Sequence, residues 1–148
     1  MDRTSDMQEA LSLAREAAEA GEVPVGCVVT DAAGRIVGRG RNRRAQLPDA
    51  TAHAEIEAIR EACRALGDWR LSGCTLTVTL EPCPMCAGAI INARIPTVVF
   101  GAREPVFGSC GSVIDLFFER YGHQPRVYGG VLEADCAALL RDFFAAKR

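Results

Sequence analysis

Long apolar runs are missing from this sequence, and none of its uncharged stretches approaches the roughly 20 residues that span a bilayer. The sequence also has no low-complexity run and no internal repeat. Its first residues, Met1 to Asp6, are polar and lead into no apolar signal segment. These absences argue against membrane-spanning, fibrous and secreted proteins. We therefore expect a cytoplasmic protein with no membrane partner.

Histidine and tryptophan are scarce, with two residues and one, whereas cysteine is common, with seven. Because the cysteine count is odd and no secretion signal precedes it, a disulfide framework is not indicated. Five cysteines are interpreted as reduced, small hydrophobic residues: Cys27, Cys63, Cys74, Cys110 and Cys136. Cys110 lies in a glycine-rich loop, and whether it borders a functional site stays open.

The length of 148 residues, with 49% hydrophobic and 24% charged residues, is typical of one globular domain over residues 1–148. Apolar periodicity predicts helices over 5–20, 51–66, 84–93 and 132–146, and a short helix over 113–118. Thr51 is the predicted N-cap of the second helix, and Gly67 ends it. Strands are predicted over 25–30 and 35–40, which form a hairpin, and over 75–80, 97–101 and 126–128. The strand–helix–strand unit over 75–101 predicts two parallel strands. The fold class is therefore α/β, with three layers.

Two short motifs carry the chemistry. The first places His53 two residues before Glu55 at the start of a predicted helix, and the second places Cys83 and Cys86 three residues apart, just after a predicted strand. Zn²⁺ is well held by one imidazole and two thiolates, and three protein ligands leave a fourth tetrahedral position for water. A nearby carboxylate is suited to move a proton of that water. The motifs predict a catalytic zinc site with His53, Cys83 and Cys86 as ligands and Glu55 as the proton-transfer residue.

The combination of H-x-E with P-C-x-x-C resembles the known signature of the zinc deaminases. A nearer resemblance extends over nearly the whole chain, in blocks that occur in order at 22–26, 41–43, 51–55, 78–83, 85–89, 99–103, 111–115 and 136–144. These blocks resemble the bacterial tRNA-specific adenosine deaminases of the cytidine and deoxycytidylate deaminase superfamily. The resemblance implies a three-layer α/β/α cytidine-deaminase-like fold with a five-stranded mixed sheet, one Zn²⁺ per subunit and a homodimer.

The same resemblance implies hydrolytic deamination of adenosine to inosine at the wobble position of a tRNA anticodon loop, with the anticodon stem-loop as partner. A single-stranded loop suits this task because its bases can be flipped out at low cost. Four residues are expected at the substrate: Asn42 at a base edge or the ribose, Val25 and Ala54 in the base pocket, and Phe144 beside the substrate loop.

Two other classes of function stay open. A free nucleobase or nucleoside deaminase acting on guanine or cytosine would share the motif and the fold. A non-catalytic, zinc-stabilised RNA-binding module would need the ligands but not Glu55. A closed structural zinc site needs a fourth protein ligand, and the other histidine, His123, lies in a predicted loop. Glu55 and the block at 136–144, which resembles the tRNA-acting group, favour the tRNA adenosine deaminase.

Positive charge is concentrated locally although the formal net charge is −2. Five arginines fall within ten residues with no acid among them: Arg35, Arg39, Arg41, Arg43 and Arg44. Together with Lys147 and Arg148 they are expected to bind phosphates, and the alternative is a solvated hairpin edge. Several apolar residues favour a dimer surface: Ile90, Ile91, Ile95, Phe117 and Phe118.

Three places depart from the pattern of the resembled family. Ala50 stands where proline is common, Glu104 where aspartate is usual, and residues 105–107 replace a more polar stretch. They lie near the expected substrate and not near the metal. We therefore expect them to affect how strictly RNA is preferred over DNA, or one tRNA over others.

Overall fold

The computed structural model describes residues 2–147, so Arg148 lies outside the described residues. The elements follow one another along the chain as α1 (Arg3–Glu19), β1 (Gly26–Thr30), β2 (Ile36–Arg41), α2 (Ala54–Leu66), β3 (Thr75–Leu80), α3 (Pro84–Asn92), β4 (Thr97–Ala102), a 3₁₀ turn (Leu116–Phe118), β5 (Arg126–Tyr128) and α4 (Glu133–Ala146). In the part of the chain that is described, no helix combines the length and the apolar character needed to cross a bilayer.

The strands form one mixed sheet in the order β2-β1-β3-β4-β5. β1 pairs antiparallel with both β2 and β3, whereas β3, β4 and β5 run parallel to one another. The parallel pair starts at Thr75 opposite Thr97. The predicted hairpin, the predicted parallel unit and the five-stranded mixed sheet are therefore confirmed.

Side chains of β4 point alternately into two separate cores. Val98 and Phe100 belong to a cluster that includes buried residues of α2 and α3. Val99 belongs to a second cluster with buried residues of α1 and α4. Because successive side chains of a strand point to opposite faces, the two helix pairs cover opposite faces of the sheet. This arrangement confirms the predicted three layers.

Two glycines of β2 allow α2 to lie directly against the sheet. A Cβ atom at Gly40 would collide with the carbonyl oxygen of Ala54, and one at Gly38 would collide with that of Ala58. Any side chain at these positions would push the helix away from the strand. The close contact therefore fixes where α2 begins, and with it the position of His53.

Most predicted element boundaries agree with the structure to within two residues, but the start of α2 differs. His53, and not Thr51, is the N-cap of α2. The backbone N–H and the hydroxyl of Thr51 both donate to Oδ1 of Asp49, at 2.8 and 2.7 Å, so Thr51 belongs to the preceding turn. Gly67 ends the helix with φ at 65°, as predicted.

The 113–118 segment contains a shorter helix than predicted, because only Leu116–Phe118 form a turn of 3₁₀ helix. The expected uncovered apolar surface is also smaller. Ile90, Ile91, Ile95 and Phe117 are buried within the chain itself, whereas Phe118 is 79% exposed. Four of the five residues expected at a dimer surface therefore contribute to the core of the subunit instead.

Candidate active site

Both sequence motifs lie at helix N-termini. His53 is the N-cap residue of α2 and Cys83 is the N-cap residue of α3, with Pro84 as the first residue of that helix. An N-cap side chain usually accepts a hydrogen bond from the first turn. Neither His53 nor Cys83 makes such a bond. The two side chains are therefore available to bind something other than their own helices.

The three predicted ligands converge on one point. Nδ1 of His53 lies 3.6 Å from Sγ of Cys83 and 3.5 Å from Sγ of Cys86, and the three donor atoms lie within 4.8 Å of one another. Zn–N bonds of about 2.0–2.1 Å and Zn–S bonds of about 2.3 Å at a tetrahedral angle require an N···S separation of about 3.6 Å. The donor set therefore fits one zinc ion.

The cluster consists of three side chains among residues 2–147. Within the described part of the chain, the His53–Cys83–Cys86 cluster includes no further histidine, cysteine or carboxylate. His123 is engaged elsewhere, because its Nε2 donates to the carbonyl oxygen of Ile95 at 2.7 Å. A site with three protein ligands is the arrangement of catalytic zinc, since it leaves one position for water or substrate.

The two thiols of the cluster titrate differently. A hydrogen bond from the Cys86 thiol lowers the pKa of Cys83 to about 4; burial opposes this shift and His53 adds to it. The neighbouring Cys83 sulfur, together with burial, raises the pKa of Cys86 far above its usual value. Two such sulfurs share one proton in the absence of a cation. A divalent ion that replaces this proton can hold both as thiolates.

Glu55 is the second residue of α2 and is only 4% exposed, although it lines the cavity described below. Burial raises its pKa from 4.5 to about 7, with a smaller contribution from the Cys83 sulfur. A carboxyl group with a pKa near neutrality can both accept and release a proton at physiological pH. Glu55 thus has the properties expected of a general acid–base group.

A second buried carboxylate, Glu81, shows the opposite behaviour. Burial favours its neutral form, but hydrogen bonds from the hydroxyl and N–H of Ser112 and from the N–H groups of Glu104 and Cys110 outweigh burial and lower its pKa. Two carboxyl groups whose environments shift their pKa values apart usually have different roles. Glu81 was not among the site residues predicted from the sequence, in which its one indication is an acidic residue directly between a buried strand and a proline.

The cluster opens into a cavity of about 430 Å³. This volume lies in the range of about 300–1,000 Å³ that is typical of small-molecule sites. Its walls come from the segment before β1, the loop after β2, the two helix N-termini and the loop after β4: Val23, Val25, Asn42, Arg44, Ala50, His53, Glu55, Leu80, Glu81, Cys83, Pro84, Met85, Glu104 and Phe107. Metal donors, Glu55 and apolar walls therefore face the same space.

Two of the four expected substrate residues, Val25 and Asn42, line this cavity. Ala54 is not among the residues that line it, and its side chain is fully buried in the core between the sheet and α2. Oδ1 of Asn42 accepts the N–H of Ala54 at 3.0 Å. Asn42 thus supplies from a distant loop the N-terminal cap that His53 does not provide.

Phe144 lies beside the cavity and not inside it. It is 47% exposed and lines an adjoining groove together with Phe143 and Lys147. The groove and the cavity share Val23, Arg44 and Ala50 as wall residues. An extended ligand could therefore reach from the cluster to the C-terminal helix without leaving a continuous surface.

The five arginines of the 35–44 segment do not form one free patch. Arg35 and Arg43 are each paired with a carboxylate, at 3.0 and 2.9 Å, and Arg41 is buried. Arg39 is exposed on β2, while Arg44 is exposed and lines both the cavity and the groove. Only Arg44 among them therefore stands where a ligand of the cavity would pass.

Cys110, whose place was left open, is buried and does not line the cavity. Burial and the nearby Glu81 raise the pKa of its thiol far above the usual value. Its backbone N–H donates to Oε2 of Glu81 at 3.0 Å. Cys110 therefore contacts the site through its backbone.

Comparison with known proteins agrees with this geometry. The family model described as the cytidine and deoxycytidylate deaminase zinc-binding region matches residues 2–102. A solved structure from studies of A-to-I editing by tRNA deaminases at the wobble position of transfer RNA superposes with a TM-score of 0.88 at 47% identity, covering 93% of this chain and 99% of that one. A guanine deaminase from Nitrosomonas europaea superposes with a TM-score of 0.85 at 27% identity, covering 96% of this chain and 84% of that one.

Curated relatives include proteins of two lengths. The chain is 49% identical over 143 residues to a tRNA-specific adenosine deaminase of Bacillus subtilis, covering 96% of this chain and 88% of that protein. It is 54% identical over 142 residues to a tRNA(Ile)-lysidine synthase of Deinococcus radiodurans, covering 96% of this chain but 24% of that protein. The chain thus spans about a quarter of the length of the Deinococcus relatives it matches, for which the covered shares are 24% and 27%.

A matched zinc-binding model over more than half of the chain, together with a three-donor cluster, defines the class of the protein. The chain belongs to the cytidine and deoxycytidylate deaminase family, and zinc is confirmed as its cofactor class. The likeness to tRNA-specific adenosine deaminases extends over nearly the whole chain, at 49% identity for the Bacillus and Agrobacterium proteins, which confirms the resemblance found in the sequence.

Proposed function

We propose that this chain is a single zinc-dependent deaminase domain that converts adenosine to inosine at the wobble position of a tRNA anticodon loop in the cytoplasm. The observation that carries the proposal is the three-donor cluster, with N···S separations of 3.6 and 3.5 Å, beside a buried carboxyl group in one cavity. The full-length likeness to tRNA-specific adenosine deaminases supports adenosine in tRNA as the substrate.

His53, Cys83 and Cys86 would hold one zinc ion, which supplies a water of lowered pKa and Lewis-acid polarisation when it is bound. The carboxylate of Glu55 accepts a proton from the attacking water. It then delivers that proton to N1 of the purine ring, and a second proton transfer lets the C6 amino group leave as ammonia. The reaction consumes one water and exchanges the C6–N bond for a C6–O bond. In the metal-free chain, burial raises the pKa of Glu55 to about 7, so this carboxyl group can both hold and release a proton near neutral pH.

We assign substrate contacts to Asn42, Val25 and Phe144. The carbonyl oxygen of Asn42 is engaged by Ala54, so its amide group remains to donate to the base or ribose. Val25 provides an apolar wall for the flipped base. Phe144, in the adjoining groove, is placed to contact a neighbouring nucleotide. Stacking of splayed bases on aromatic side chains is common in recognition of single-stranded RNA.

We also propose that the protein acts as a homodimer. Apolar side chains remain exposed around the 3₁₀ turn: Val113 at 53%, Ile114 at 47%, Phe118 at 79% and Tyr121 at 60%. Such a concentration of exposed apolar residues in one segment is typical of an interaction surface. It replaces the mostly buried residues that the sequence suggested for this role.

The competing function is deamination of a free nucleobase such as guanine or cytosine, which the fold shared with the Nitrosomonas guanine deaminase supports. A free base would need only the cavity, whereas an RNA would also use the groove lined by Arg44 and Phe144. A non-catalytic RNA-binding module is disfavoured, because such a module needs no buried carboxyl group at the cluster.

The deciding experiment incubates the zinc-loaded protein with an adenosine-containing anticodon stem-loop and, separately, with guanine, cytosine and free adenosine. Products are separated by liquid chromatography and identified by mass. We expect inosine in the stem-loop, with affinity that falls steeply as salt rises, because RNA binding releases counterions from phosphates. Efficient, salt-insensitive turnover of a free base, with no inosine in the stem-loop, would transfer the protein to the competing class.

A further inference from the structure

The loop that follows β4, residues 103–112, is tied to one buried side chain. Glu81 is 2% exposed and follows β3. Its Oε1 accepts the N–H of Glu104 at 3.1 Å and the hydroxyl of Ser112, and its Oε2 accepts the N–H groups of Cys110 and Ser112 at 3.0 Å each. All the donors belong to this loop, one near its start and the others at its end.

These hydrogen bonds leave Glu81 little capacity for chemistry. A carboxylate offers about four acceptor positions, and the loop donors fill that number. An ionised group that is buried is stabilised only when such donors satisfy it. Glu81 lines the cavity, but it has no free lone pair for a substrate proton. Its function is therefore to hold the backbone of the loop.

The loop backbone is fitted closely around this carboxylate. A Cβ atom at Gly108 would lie 2.7 Å from the carboxyl carbon of Glu81. The next residue, Ser109, donates its N–H to the carbonyl oxygen of Pro82 at 2.9 Å. The middle of the loop is thereby fixed against the segment that leads into α3, which carries two of the metal donors.

Two side chains of this loop, Glu104 and Phe107, line the cavity. Phe107 is 61% exposed, so packing in the core does not determine where its ring lies. Its position depends on the backbone that carries it, and that backbone lies between the points where Glu81 binds the loop. Rigid support of this kind is what a binding residue on a loop requires.

We propose that Glu81 is a positioning residue, which fixes the 103–112 loop and thereby sets where Phe107 and Glu104 meet the RNA strand at the mouth of the cavity. The loop-fixing step is independent of the reaction, whereas the effect on RNA rests on the proposed function. The two parts are tested by different measurements.

The first measurement is hydrogen–deuterium exchange of the zinc-loaded protein. Glu81→Gln keeps the side-chain size but replaces acceptor positions by an N–H₂ group that faces backbone N–H donors. We expect exchange in the 103–112 loop to become about tenfold faster, with β3 and β4 unchanged. Ser112→Ala removes the hydroxyl donor and leaves the carboxylate intact, so it should give a smaller increase in exchange in the same loop. This variant provides the test if Glu81→Gln does not fold.

Glu22→Gln is the matched control. Glu22 is also a buried carboxylate, but it accepts the N–H groups of Ala45 and Gln46, at 3.2 and 2.7 Å, beside the adjoining groove and not in the 103–112 loop. The Glu22→Gln substitution should accelerate exchange around residues 43–49 and leave exchange in the 103–112 loop as in the wild type. Wild-type exchange of the 103–112 loop in both Glu81→Gln and Ser112→Ala would overturn the proposal.

The second measurement is a double-mutant cycle on KM for the stem-loop. Glu81→Gln should raise KM about tenfold with kcat within a few-fold, and Phe107→Ala should also raise KM. If Glu81 acts through Phe107, the fold-increase in KM of the double variant should be well below the product of the two single fold-increases. For the control pair, Glu22→Gln with Phe107→Ala, the fold-increase in KM of the double variant should equal that product. If the fold-increase in KM of the Glu81→Gln, Phe107→Ala double variant equals the product of the two single fold-increases, Glu81 does not act through Phe107. A wild type that makes no inosine refutes the proposed function instead, while the exchange measurements still decide whether Glu81 holds the loop.

Discussion

Replacing Glu55 by glutamine should separate catalysis from metal binding. General acid–base groups typically contribute about 10²–10⁴-fold to a rate, so Glu55→Gln should lower kcat by that factor. Bound zinc should stay at one ion per chain, because Glu55 does not belong to the donor cluster. Single-turnover formation of inosine and metal analysis of the same preparation test both statements. Activity within a few-fold of the wild type, or loss of zinc, would refute the assignment.

The same substitution has a calculable effect on the metal-free protein. Because burial raises the pKa of Glu55 from 4.5 to about 7, the folded chain binds this proton more tightly than the unfolded chain. The favourable contribution of the protonated carboxyl is therefore complete below the unfolded value and is lost as pH rises through about 7. The difference between the two pKa values, 4.5 and about 7, corresponds to about 3 kcal/mol of unfolding free energy. Glutamine does not ionise, so Glu55→Gln should gain stability relative to the wild type over this pH range, as measured by urea unfolding.

Glu81→Gln provides the control of opposite sign. Hydrogen bonds from its loop lower the pKa of Glu81, so its contribution to stability is present above the unfolded value and is lost as pH falls through the folded value. At neutral pH, Glu81→Gln should therefore destabilise the chain while Glu55→Gln does not. Equal destabilisation by both substitutions would contradict the distinction between the two carboxyl groups.

Three further predictions concern the metal, the RNA and the dimer. Cys83→Ala and Cys86→Ala should each lose zinc and thermal stability together, because metal binding contributes folding free energy; metal analysis and melting curves check this. Arg44→Ala should reduce the slope of log Kd against log salt for the stem-loop by about one, whereas Arg35→Ala, already paired with a carboxylate, should leave it nearly unchanged in fluorescence anisotropy. Phe118→Glu should convert a dimer into a monomer in light scattering, and a wild type that is monomeric at micromolar concentration would contradict the dimer.

The cluster could be predicted from the sequence because zinc demands particular donor types, and short spacing at helix starts brings them together. Long-range contacts could not be predicted in this way. Nothing in the sequence indicated that Asn42 caps α2 in place of Thr51, since the loop between them determines that contact. The pairing of Arg43 with Glu57 is equally non-local, so the arginine-rich segment seemed a larger cationic surface than it is.

The position of the metal donors imposes a cost on the fold that other residues offset. A side-chain N-cap stabilises a helix by typically about 1 kcal/mol, and both α2 and α3 begin at residues whose side chains make no such bond. For α2 the missing cap is replaced by Asn42. For α3, Pro84 at the first position removes one N–H that would otherwise need a partner. Each helix start can therefore present its N-cap side chain to the metal, and the residue that compensates α2 also lines the cavity beside the metal donors. The same asparagine thus links the stability of the helix that carries His53 and Glu55 to the wall of that cavity.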